Sequence, residues 1–71
     1  MIITIECEQE EDERWIAEIL ELPGVLVYGS TVQEAIARVQ ALALRVIADQ
    51  IEHGERDSQP LSISFVTAPA A

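Results

Sequence analysis

The chain has no lysine: its four basic residues are Arg14, Arg38, Arg45 and Arg56, set against 13 carboxylates. A formal net charge of −9 repels phosphate backbones, which argues against direct, specific nucleic-acid binding and favours basic proteins as partners. The single cysteine, Cys7, excludes an internal disulfide and every multi-cysteine metal motif, and it fits a reduced cytoplasmic setting. The single histidine, His53, makes a nucleophilic triad improbable in a chain of this size. Trp15, Tyr28 and Phe65 are the only aromatic residues, so aliphatic packing must carry the core. Charges interrupt every apolar run long before the ~20 residues a membrane crossing needs, and no positive n-region of a secretory signal opens the chain. A cytoplasmic protein with no membrane span is expected.

The 71 residues make one domain. A domain this small buries only about 60% of its unfolded-chain surface, so a partner subunit would add to a marginal stability. Residues 2–7 alternate, with Ile3, Ile5 and Cys7 on one face and Thr4 and Glu6 on the other. Residues 15–20 repeat the pattern, with Trp15, Ala17 and Ile19 opposite Ile16, Glu18 and Leu20. Between them the run Glu8, Gln9, Glu10, Glu11, Asp12, Glu13 packs like charges that need water, and it reads as the exposed tip of a hairpin. Pro23 and Gly24 turn the chain into a third strand, residues 25–28, whose apolar character on both faces predicts central or doubly covered placement. A fourth strand spans residues 61–66, and residues 67–71 read as a frayed tail, leaving 2–66 as the core domain.

The apolar period changes to 3.6 at Thr31, which can cap a helix with Glu34 as its capping-box partner. The helix runs over residues 32–53, with Gly54 at its C′ position. Val32, Ile36, Val39, Ala43, Val46 and Ile47 form its core stripe. Glu34, Arg38, Arg45, Asp49 and Glu52 gather opposite. Ala37, Ala41, Leu44 and Ala48 make an apolar shoulder with two readings: alanine is the best helix former at a surface, or small side chains admit a second subunit. Leu44 favours the second, a homodimer or higher oligomer. The fold class is therefore α+β, in the order β-β-β-α-β, with a mainly antiparallel sheet and one long helix on one face.

Candidate chemistry is sparse. The acidic run has the hard ligands a divalent cation takes but lacks the glycine and spacing of a calcium loop, so a solvated tip is the better reading. Cys7 alternates with core residues and reads as one of them, while His53 suits the negative end of the helix dipole. Glu6 and Glu18 can meet across neighbouring strands as a carboxylate pair, although such residues more often solvate an outer sheet face. No catalytic residue, metal ligand or cofactor site is assigned, and an enzyme is not expected.

The run Trp15-Ile16-Ala17-Glu18-Ile19, then Glu21-Leu22-Pro23-Gly24, then Gly29-Ser30-Thr31-Val32-Gln33-Glu34-Ala35 resembles the N-terminal domain of HicB-family antitoxins. The resemblance covers residues 2–48, with 61–66 matching the returning strand, and departs at Leu20 and Arg14, where proline and glycine are common. It implies a partial RNase H-like fold and an antitoxin that covers a small basic mRNA-cleaving toxin of HicA type. Full-length members usually add a DNA-binding domain, for which this sequence has no room, so direct operator binding is not expected. Glu8, Glu10, Glu11, Asp12 and Glu13 are the residues expected to occupy the toxin's positive surface, with Trp15 and Tyr28 as candidates for an apolar centre, Trp15 reading equally well as a core residue. The alternative is a stand-alone oligomeric domain of the same kind that binds a different protein or a small ligand.

Overall fold

The computed structural model describes residues 1–56 and 59–68. The alternating segments form strands β1 (Ile2–Gln9), β2 (Trp15–Ile19) and β3 (Leu26–Gly29). Helix α1 (Val32–Glu52) follows, and β4 (Ser64–Ala68) returns to the sheet. This is the expected α+β order. The strands lie in the order β3-β2-β1-β4, with β2 antiparallel to both neighbours and β4 parallel to β1.

The sheet is thus mainly antiparallel, as expected, with one parallel pair, β1 with β4, of which the helix is the cause. At 21 residues α1 is about 30 Å long, enough to return the chain along the sheet so that the next strand runs parallel to β3 and β1.

One face of the sheet is covered by α1. Ile3 and Ile5 of β1, Ala17 and Ile19 of β2, and Leu22 and Val25 of the turn meet Ala35, Val39, Ala43 and Ile47 of the helix in the buried core. Each fully buried isoleucine or valine contributes about 1.5–3 kcal/mol. Cys7, Trp15, Phe65, Ile36, Leu42 and Val46 pack around this centre. Ala35 and Leu42 therefore belong to the core stripe, beyond the residues expected for it. Ala35 enters because the first turn of α1 sits directly on β3, where a Cβ added to Gly29 would lie 2.6 Å from the Ala35 amide nitrogen.

Both helix ends are closed as their residues dictate. Thr31 Oγ1 accepts from the Glu34 amide at 3.0 Å, while Glu34 Oε1 accepts from the Ser30 amide at 3.1 Å, one residue earlier than in a regular capping box. Gly54, at φ +70°, donates to the Ile51 carbonyl, and Glu55 donates to that of Gln50, the paired bonds of a Schellman motif.

Three boundary expectations are corrected. β3 is an edge strand rather than a central one, because β1 already fills the other side of β2, and Leu26 and Tyr28 are exposed because they lie on the sheet face opposite α1. The fourth strand starts at Ser64 and continues to Ala68; Thr67 and Ala68, read as tail, pair with Ile5 and Glu6. Residues 69–71 of that tail lie outside the described residues. Among the described residues no helix is long and apolar enough to cross a membrane.

Candidate functional site

The hairpin between β1 and β2 is built by its own side chains. β1 continues through Gln9, so Glu8 belongs to the strand and the turn proper begins at Glu10. Glu10 donates to the Arg14 carbonyl at 2.7 Å, and Glu13 donates to the Glu10 carbonyl at 3.0 Å from a left-handed backbone at φ 70°. Asp12 fastens the turn, accepting from the Arg14 amide at 3.1 Å and from Arg14 Nε at 2.6 Å. Those bonds, backbone first and side chain second, hold the Asp12 carboxyl below its ordinary range. The Arg14 guanidinium also lies 4.5 Å from the centre of the Tyr28 ring, so one arginine links the tip to edge strand β3. Glu8, Glu10, Glu11 and Glu13 form no ion pair among the described residues, which leaves four carboxylates available to an outside cation.

Trp15 and Tyr28 do not form one patch. Trp15 shares the helix-side face with Ala17 and packs against the core, whereas Tyr28 faces Ile16 on the opposite, uncovered face. Tyr28 is therefore adjacent to the acidic tip on the open side, and Trp15 supports the tip from within.

The uncovered face carries a second acidic feature. Glu6 and Glu18, expected to be able to meet across the strands, are direct partners in the β1–β2 ladder. Around them lie Ile16, Leu20, Leu26, Tyr28 and Val66, with Leu20, Leu26, Tyr28 and Val66 between 39% and 48% exposed. At the margin, Thr4 gives Glu21 two bonds of 2.7 Å, one from its hydroxyl and one from its amide, and these hold the Glu21 carboxyl below its ordinary range.

Ala37, Ala41, Leu44 and Ala48 are all exposed, and helical geometry puts them on the side of α1 turned away from Val39 and Ala43 rather than at a shoulder. Ile51, 48% exposed, extends this strip and was not singled out in the sequence. Another feature missed there is the approach of Asp49, His53 and Glu55, whose possible ligand atoms all lie within 4.8 Å of one another. The first two are spaced i, i+4 and legible as such; Glu55 joins them through the turn at Gly54. All three are exposed, and His53 Nδ1 already lies 2.7 Å from the Asp49 carbonyl and 3.2 Å from its carboxylate. Cys7 is half-buried, and burial pushes its thiol above the ordinary range, as for a packing residue. A cleft of about 330 Å³ opens beside Met1, Ile2, Ile3, Glu21, Leu22 and Arg56, remote in the sheet from the tip.

No family model, curated protein or solved structure matches this chain.

Proposed function

We propose that the protein is an antitoxin-type binding module of HicB kind, which neutralises a small basic mRNA-cleaving toxin by covering its RNA-binding surface. The observation that carries this reading is the hairpin tip. Among the described residues, Glu8 at the end of β1 and Glu10, Glu11 and Glu13 of the turn have no ion-pair partner, on a tip held in shape by Asp12 and Arg14 next to the exposed Tyr28 ring. A turn fixed before binding loses little conformational entropy on docking, and its carboxylates can take the positions that RNA phosphates would occupy on a basic ribonuclease. The resemblance of residues 15–35 to the family motif and the net charge of −9 support the same reading. Its test is co-expression with a small basic protein encoded beside this one. A complex that weakens with salt, and an RNA-cleaving activity that is lost on complex formation, are expected.

A second reading is a stand-alone oligomer. The exposed strip Ala37, Ala41, Leu44, Ala48 and Ile51 favours it, because small residues flanking two large apolar ones allow a second helix to approach closely. The two readings are compatible, since this strip and the hairpin tip do not overlap.

A further inference from the structure

Among the described residues two carboxylates pair with an arginine, those of Asp12 and Glu34. Arg14 is held by Asp12 and covers Tyr28, Arg38 pairs with Glu34 at 3.2 Å, and Arg56 donates to Gln50. Glu6 and Glu18 have no such partner among the described residues, although they are directly opposite across the β1–β2 ladder and both half-buried. Like charges facing each other at this position oppose the pairing of their strands. Leu26 flanks the pair on the β3 side and Ala68 on the β4 side, with Ile16 and Tyr28 above. An acidic pair surrounded by apolar side chains, on a sheet face that no described element covers, has the form of an interface centre awaiting a cation.

We infer that this open face docks a basic protein, with one arginine of the partner inserted between Glu6 and Glu18 and its neighbouring apolar side chains on Ile16, Leu26 and Tyr28. The inference deepens the antitoxin reading, on which it rests for the basic character of the partner, and moves the anchor from the hairpin tip to the sheet. Arginine fits because its planar guanidinium presents donors in two directions and is less strongly hydrated than an ammonium. A second copy of this chain does not fit: two-fold pairing of the face would bring Glu6, Glu8 and Glu18 against their own equivalents. Nucleic acid and anionic lipid are opposed by the same charges.

The test is an amide-shift titration of the full chain with a short extended peptide of alternating valine and arginine, run beside its citrulline twin, in which a neutral urea replaces each guanidinium. Shifts centred on Glu6, Ile16, Glu18 and Leu26 are expected, with the arginine peptide binding about tenfold more tightly than the citrulline one. The Glu6→Gln/Glu18→Gln variant, which loses the repulsion and keeps its fold by its amide spectrum, should abolish that preference; Glu8→Gln should retain most of it. Equal binding of the two peptides, shifts centred on residues 10–13, absence of binding, or concentration-dependent self-association through this face would each overturn the inference. Failure of the peptide test leaves the antitoxin reading standing if the neighbouring basic protein still binds through the tip. Failure of that protein to bind leaves a positive peptide result intact and removes the antitoxin reading alone.

Discussion

Gly29 and Ala35 are in closer backbone contact than any side chain would permit, since a Cβ at Gly29 would stand 2.6 Å from the Ala35 nitrogen and 3.2 Å from its Cβ. This contact seats the first turn of α1 on β3 and so sets the helix across the sheet. Gly29→Ala must push the two elements apart, and overpacking of this kind costs about 1–3 kcal/mol. Urea denaturation should show a lower midpoint with an unchanged slope; a variant as stable as the parent would mean that the helix is not held at this point.

Val39→Asp places a charge at a fully buried site between sheet and helix. An uncompensated buried charge costs about 3–5 kcal/mol, a large part of the stability of a domain this size. Loss of the far-ultraviolet helical signal at room temperature is expected. The same substitution at Ile36, which is only half-buried, should be milder, because its carboxylate can reach water.

The period change at Thr31, the faces of β1 and β2, and the C′ glycine were legible because each depends on neighbours within a few residues. Pairing was not. Nothing in the alternation of residues 25–28 distinguishes an edge strand from a central one, and nothing in residues 61–66 tells that β4 would join β1 in parallel, since both follow from where a 21-residue helix delivers the chain. The separation of Trp15 from Tyr28 has the same origin. Both flank the acidic hairpin in sequence order, but only the register Trp15↔Gly29 and Ile16↔Tyr28 assigns them to opposite faces. The possible meeting of Glu6 with Glu18 could be read, because a hairpin between β1 and β2 leaves few registers open.

Stability should fall in acid, and Glu21 and Asp12 are the groups that make it do so. Both carboxyls are held below their ordinary range, Glu21 by the Thr4 hydroxyl and then its amide, Asp12 by the Arg14 amide and then its side chain. A carboxyl with a depressed folded-state pKa contributes fully above its unfolded pKa, and the contribution disappears as pH falls through the folded value. Thermal melts from neutral pH downward should show this loss, and Glu21→Gln should flatten part of it while lowering the neutral-pH melting temperature. An identical pH profile in parent and variant would show that the Thr4–Glu21 bonds do not persist in solution.

If the outer strip of α1 joins two copies, Leu44→Glu should shift sedimentation toward the monomer without altering the fold, since Leu44 is 46% exposed and outside the core. A parent protein that is monomeric at high micromolar concentration would exclude the strip as an interface.

Replacing Glu10, Glu11 and Glu13 together by glutamine should leave the turn intact, because its fastening runs through Asp12, Arg14 and the backbone. Association with a basic partner should become slower and its salt dependence shallower, while dissociation changes less. Stopped-flow binding at two ionic strengths separates these effects.

The most direct measurement is RNA cleavage by any small basic protein encoded beside this one, assayed at low salt with increasing amounts of this one. Stoichiometric loss of cleavage, accompanied by a complex that sediments as one species, is the expected result. Undiminished cleavage with no association between the two proteins would contradict the proposed antitoxin function.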